Sequence, residues 1–494
     1  MRATRRSRAI SALATAAVAV PVLLAAAPAA GAHPQHDVRQ DRHRAEKLAK
    51  ELVKDASGKS AYRHLQKFQQ IADSAGGNRA AGTLGYDASA AYVYNQLKKA
   101  GYDVKYQEFT IHESKTLREK LVVDGAELKT TAFEFSKSTP AGGITASIAA
   151  ARVDDTPGCE LDDYKSETFT GKIALVKRGT CTFQQKEAVA AQAGAVGLIL
   201  YNHSGDKPVA GTVEAPANAH IPAVGITKAD GEALAAKVAK GDVKATVDVA
   251  TQAVPHQTRN VIAETRGGSA DRVVALGAHL DSVAEGPGIN DNGTGSAGLI
   301  EVAEKLAKET KKGKKLANKV RFAWWSGEEL GLLGSDHYVK SLSDKQKKQI
   351  KLYLNFDMIG SPNPVQFVYD GDNSDNTGEG EGPAGSAQIE KLINGFLDKK
   401  GQPHEGTDFD GRSDYGPFIE NGIPAGGTFT GAEGIKTPAQ AAKFGGQAGV
   451  AYDPNYHGAG DDLKNIDKKI FDLNVDVIAH AVGTYAYDIS SLKN

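Results

Sequence analysis

The sequence predicts an α/β protein: a mostly parallel central sheet flanked by helices, carrying a small inserted domain that is β-rich or α+β. Three observations lead there. After Gln257, apolar runs of strand length alternate with segments of helical spacing, as in strand-helix units that feed a parallel sheet. Between about residues 111 and 255 the texture shifts to short apolar runs separated by Gly- and Ala-rich stretches, the mark of a unit with its own core. The 494 residues, 40% hydrophobic and 24% charged, suffice for two or three domains. With 59 basic against 60 acidic side chains, neither a disordered chain nor a polyanion-binding surface fits, and no nucleic-acid partner is expected.

Residues 1–32 read as a cleaved signal peptide. Arg2, Arg5, Arg6 and Arg8 precede an Ala/Val/Leu run that ends in Ala30-Gly31-Ala32, small residues in the arrangement signal peptidase reads. Pro21 and Pro28 interrupt the run, which argues against a retained anchor, so secretion without stable membrane association is expected. The Arg5-Arg6 pair leaves the Sec and twin-arginine routes both open. Cleavage removes four Arg and no acid, moving the formal charge from −1 to −5. Residues 33–58, polar with a helical stretch near Ala45 to Val53, read as a propeptide or loosely held arm.

Leu65, Phe68 and Ile71 predict a helix, Gly76-Gly77-Asn78-Arg79 a turn, and Tyr92, Val93 and Leu97 a second helix that Gly101 ends. Val104, Tyr106 and Phe109 alternate as a strand does. Within the insertion, Ile173 to Val176, Val196 to Tyr201 and Ile221 to Ile226 predict strands, and Gln184 to Ala193 a helix. Cys159 and Cys181 are the two cysteines; in an oxidising compartment a bridge would close a loop of about 22 residues, contributing roughly 3 kcal/mol, the alternative being two buried thiols. Beyond Gln257 the predicted strands are Arg272 to Ala278, Lys319 to Trp325, Lys351 to Phe356 and Val365 to Tyr369. The helices are Ser296 to Lys308, Glu328 to Lys340, Ala387 to Leu397 and Asp467 to Tyr487, with a solvent loop at Asp370 to Gly385.

Ligands of open α/β sheets bind beyond the carboxyl ends of the strands. His279 follows the first strand of this series, Glu328-Glu329 the second and Asp357 the third; Asp291 lies in a Gly- and Asn-rich loop before a helix, and His457 in Asn455-Tyr456-His457-Gly458. Imidazoles and carboxylates in this mixture suit two zinc ions sharing a carboxylate, since ions about 3.5 to 4 Å apart can jointly acidify a bridging water. Of the adjacent glutamates, one can be a ligand and the other a general base; alternatively the pair simply opens a helix, where acids favour the dipole. Asp281 can accept the second N–H of His279. A serine nucleophile at Ser296 is the weaker reading, because Thr294 stands where the G-x-S-x-G elbow has Gly and no strand directly precedes it.

Gly277-Ala278-His279-Leu280-Asp281-Ser282, Asn290-Asp291-Asn292-Gly293, Trp325-Ser326-Gly327-Glu328-Glu329, Asn355 to Gly360 and Tyr456-His457 resemble the motifs of the secreted co-catalytic di-zinc aminopeptidases, the aminopeptidase Y and bacterial leucine aminopeptidase group, a zinc-exopeptidase fold. The resemblance implies that His279 and Asp357 bind one zinc, Glu329 and His457 the other, and that Asp291 bridges them. It implies Glu328 as general base, Asp281 as the residue orienting His279, and Tyr456 as donor to the tetrahedral oxyanion. Asp408 to Tyr415 resembles a segment bordering the substrate pocket, which would put Arg412 near the substrate; Ser413 or Asp414 otherwise reads as a helix cap. Gly158-Cys159, Gly171 to Val176, Arg178 to Phe183 and Lys186 resemble the protease-associated domain. The expected organisation is a peptidase domain in two parts, 59–128 and 255–494, interrupted by that domain at 129–254.

The expectation is thus a monomeric, secreted, two-zinc aminopeptidase that removes N-terminal residues, large apolar ones such as Leu, from peptides and proteins. A Ca²⁺ site is possible but has no readable signature. The alternatives are a related di-zinc carboxypeptidase and a non-catalytic receptor-like module on the same scaffold.

Overall fold

The computed structural model describes residues 38–493 apart from 166–167, 377 and 379. The predicted signal peptide therefore lies outside the described residues. Among the described residues no helix is long and apolar enough to cross a membrane.

The central sheet forms as the apolar runs predict. Ser269–His279, Asn318–Trp325, Ile350–Phe356 and Ala425–Phe429 are neighbouring parallel strands, buried along most of their length. Strands covered on both faces read as continuous hydrophobic runs, which is why three of them were legible. The fourth, Ala-Gly-Gly-Thr-Phe, shows no such run; its Gly427 lies where a Cβ would come within 1.9 Å of the Asn355 carbonyl. One face is covered by Gly58–Ser74, Leu84–Ala100, Gly295–Lys311, Ser386–Lys399 and Lys468–Tyr485, packed through Phe68, Val93, Ile300 and Ile478. The other is closed by an aromatic cluster in which Tyr353 and Phe418 stack at 3.8 Å.

Residues 38–55 correct the expectation of a loose arm. Val38–Asp55 is one helix whose Ala45, Leu48 and Leu52 join the main core. It approaches Lys468–Tyr485 closely enough that a Cβ on Gly483 would lie 2.4 Å from Ala49 Cα. The polar composition belongs to its outer face. Leu52→Ala is expected to destabilise the protein by about 2–5 kcal/mol in denaturant unfolding, the usual cost of a core cavity; a change below about 0.5 kcal/mol would mean that the helix is dispensable to the core.

The strand predicted around Val104 runs much further, as Asp103–Val123, and pairs antiparallel with Lys244–Glu264 over almost its whole length. This ribbon carries the chain into and out of the insertion. There Ile144–Ala150, Ile173–Lys177, Gly197–Tyr201 and Ala223–Ile226 form a parallel run, with the helices Phe183–Gln192 and Lys228–Val238 between strands. Two hydrophobic clusters, around Phe133, Val176 and Leu200 and around Ile199, Val224 and Val247, give the insertion its own core. Cys159 and Cys181 are joined by a disulfide.

Candidate metal centre

The register of the sheet brings the predicted residues level. Trp325 lies opposite His279 and Asn355 opposite Gly277, so His279, the turn after Trp325 and Asp357 leave the sheet along one edge. The Glu pair corrects the expected helix over Glu328 to Lys340, which begins only at Leu333. Gly327 and Gly331 both have positive φ, and the amides of Gly331 and Leu332 donate to the Glu328 carbonyl, so the two glutamates occupy a tight turn over the strand ends. Neither Ser413 nor Asp414 caps a helix: Ser413 Oγ donates to Asp357 Oδ2 at 2.5 Å, and Asp414 is buried, which raises its carboxyl to about 7.

Asp291 stands between the two imidazoles. Its Oδ1 is 3.1 Å from His279 Nε2, and its Oδ2 is 3.3 Å from His457 Nε2. Asp357 Oδ1 completes the first group at 3.2 Å from His279 Nε2, and Glu329 Oε2 the second at 2.9 Å from His457 Nε2. Glu328 Oε2 is more distant, 3.8 Å from His279 Nε2. The Nδ1 of His279 is 3.0 Å from the main-chain carbonyl of Asp281, whose carboxylate is 3.8 Å away. Asp281 thus turns Nε2 inward through its backbone, while its carboxylate accepts the Glu328 amide at 3.4 Å.

These groups are ill suited to being left alone. With both imidazoles neutral, Asp291, Glu328, Glu329 and Asp357 would leave four negative charges in a largely buried site, a cost relieved only by cations or protons. The perturbations agree. Burial, with Asp357 and Glu329 adding to it, drives Glu328 well above the usual carboxylate range, and burial together with Asp291 lifts Glu329 to about 7. Burial opposes charge on His457, yet hydrogen bonds to Asp291 and Glu329 raise it to about 10. Two divalent cations would neutralise four carboxylates. The donor set, nitrogen and oxygen only, fits zinc.

The loops carrying Asp291 and His457 are tied together by residues the sequence reading missed. Asp461 accepts the amides of Asn290 and Asp291 on its two oxygens at 2.8 and 2.9 Å. Asp453 accepts Asn290 Nδ2 at 2.7 Å and Asn465 Nδ2 at 2.8 Å. The clustering of Asp453, Asn455 and Asp461 around His457 was the available signal. Ser296 is no nucleophile in this fold: it is buried, and its hydroxyl donates to the His279 carbonyl at 2.7 Å.

A cleft of about 260 Å³ opens beside the acids. Asp291, Glu328, Glu329 and Asp357 line it, and Met358, Phe429 and Ala432 contribute apolar surface. Arg412 lies on its rim, donating to Tyr456 Oη at 3.2 Å and pairing with Glu433 at 2.9 Å. The Tyr456 ring stacks on His457 with centroids 3.8 Å apart.

An α/β sheet with paired imidazole-carboxylate groups at its carboxyl edge and an adjoining cleft defines a metal-dependent hydrolase. The family model described as peptidase family M28 matches residues 260–482, and the PA domain model matches 144–234. Leucine aminopeptidase 2 of Trichophyton tonsurans is 46% identical over 424 residues, 85% of this chain and 83% of the relative. The probable lipoprotein aminopeptidase LpqL of Mycobacterium tuberculosis is 45% identical over 429 residues, 86% and 84% respectively. Among solved structures, the aminopeptidase from Aneurinibacillus sp. strain AM-1 superposes with a TM-score of 0.70 at 27% identity, covering 88% of this chain and 95% of that one. The zinc aminopeptidase BSAP from Bacillus subtilis gives 0.59 at 28%, covering 85% and 94%. The chain belongs to peptidase family M28, as a zinc metalloaminopeptidase with an inserted PA domain.

Proposed function

We propose that this is a secreted, two-zinc aminopeptidase releasing large apolar N-terminal residues from peptides, and that its domains divide at 59–128, 129–254 and 255–494. The observation that carries the two-ion reading is the placing of Asp291, one oxygen toward each imidazole. His279 and Asp357 would hold one ion, Glu329 and His457 the other, with Asp291 shared. Bound there, the zinc pair supplies Lewis acidity, polarising the scissile carbonyl and lowering the pKa of water.

The chain's own groups do the rest. Glu328, beside the ligands but further from the nearest imidazole, takes the proton from the attacking water and returns it to the leaving amine. Without metal, burial raises its carboxyl well above the usual range; cations bound at the neighbouring ligands would favour the ionised form that it needs to act as a base. The Tyr456 hydroxyl, met by the Arg412 guanidinium, donates to the oxyanion as the carbonyl becomes tetrahedral. Met358 and Phe429 offer apolar surface to the side chain of the departing residue. The N-terminal Arg patch and the Ala-rich run of residues 1–32 support export, and the disulfide suits an oxidising compartment.

Two measurements on the purified protein test this. Metal analysis is expected to find two zinc equivalents, with activity lost on chelation and restored by zinc. Leucyl p-nitroanilide is expected to be cleaved and its N-acetyl derivative not. Equal cleavage of the acetylated substrate, or release of residues from the carboxyl end of a peptide, would overturn the aminopeptidase reading; one equivalent of zinc would overturn the shared carboxylate.

A further inference from the structure

The loop that joins His279 to Asp291 is held by a residue from the far side of the insertion. Arg79 follows the Gly58–Ser74 helix, outside the segment that the M28 family model matches. Its side chain is fully buried, at 0% exposure, and lies over the Phe68 ring at 5.1 Å. Nε donates to the Pro287 carbonyl at 2.8 Å, and the two terminal nitrogens donate to the carbonyls of Leu280 and Gly288. The main chain adds to the clamp: the Arg79 amide donates to Ser282 Oγ at 2.9 Å, and that hydroxyl reaches the Gly286 carbonyl at 3.0 Å.

One planar cation thus gathers carbonyls from both ends of the loop. Leu280 adjoins His279, and Gly288 is three residues from Asp291. Gly288 has a φ of 61°, and a Cβ there would lie 2.4 Å from both the Asp291 carbonyl and Ser282 Cβ, so the tight loop that Arg79 spans needs glycine. A lysine could not serve three carbonyls in one plane, because its ammonium lacks the rigid fork of donors. Burial lowers the Arg79 pKa to about 10, which leaves it charged at neutral pH, and the carboxylates that act on it are Asp281, Asp461 and Asp291.

We infer that Arg79 is a positioning residue for the metal centre, its guanidinium setting the spacing of the loop so that Asp291 Oδ1 meets His279 Nε2. The inference rests on the two-zinc reading. It gives the segment before the PA domain a part in the active site: the 260–482 region alone would lack this clamp.

The test uses Arg79→Met and Arg79→Lys in the full chain. Zinc affinity is read by competition with a chromogenic chelator, kcat and KM are measured separately, and melting is followed on the metal-free proteins. Arg79→Met is expected to weaken zinc binding by about 10–100-fold, as loss of groups that orient ligands does, and to lower kcat with KM changed by less than about twofold. Arg79→Lys should recover part of the affinity by restoring the charge. An Arg79→Met protein that melts lower yet binds zinc and turns over as wild type does would overturn the inference, reducing Arg79 to a packing residue. If Arg79→Met does not fold, wild-type zinc affinity in Arg79→Lys overturns it equally. Wild-type protein that binds no zinc would instead defeat the metal reading, before either variant is consulted.

Discussion

Glu328→Gln is expected to keep both zinc ions and lose most turnover, with kcat falling by about 10²–10⁴-fold and KM little altered. At 1.36 kcal/mol per tenfold this is roughly 3–5 kcal/mol of transition-state stabilisation. The proposed division of work between the two glutamates rests on their distances. Glu329 Oε2 is 2.9 Å from His457 Nε2, within reach of an ion that imidazole would bind, whereas Glu328 Oε2 stays 3.8 Å from His279 Nε2. The substitution preserves shape and the hydrogen bond from the Glu328 amide to Asp281, so the turn should survive it. What it removes is a group able to take and return a proton. Zinc content and steady-state kinetics on the same preparation decide the matter: loss of one zinc equivalent together with activity would make Glu328 a ligand and reopen the division of labour.

The sequence announced the site most clearly where secondary structure is regular. Three buried strands ending in His279, Trp325 and Phe356 could be read from their apolar runs, and their carboxyl ends then located His279, the Glu pair and Asp357. Asp291 and His457 lie in irregular loops that no strand end points to, and they read as candidate ligands first from residue type and then from their motifs. The turn at Glu328 escaped because acids before an apolar, periodic segment look like a helix start; positive φ at Gly327 and Gly331 is a tertiary outcome that periodicity does not record. The Val38–Asp55 helix was underestimated for a different reason. Its four-residue apolar stripe is narrow and its remaining positions are highly charged, so average polarity hid a buried face. Long-range ties such as Asp461 to the Asp291 amide leave no local pattern at all.

Asp291→Ala is expected to disturb both ions, where His279→Ala or His457→Ala should strip one ligand from a single ion. The reason is the reach of one carboxylate: Oδ1 faces His279 and Oδ2 faces His457, so its removal takes a ligand from each group and the charge that lets two cations sit side by side. Its backbone should hold, because Asp461 binds the amides of residues 290 and 291 whatever the side chain, and Asn290 remains tied to Asp453. Zinc content is therefore expected to fall to one equivalent or less after gel filtration, with kcat/KM down by about 10³-fold or more, a loss of at least ~4 kcal/mol. Melting of the metal-free protein should also fall: burial opposes charge on Asp291, but its hydrogen bonds to His279 and His457 hold it below the usual carboxylate range, and its removal leaves both imidazoles without that partner. Retention of one zinc at wild-type affinity with selective loss of the other would show that Asp291 serves one ion only, and the two imidazole groups would then have to be treated as independent sites.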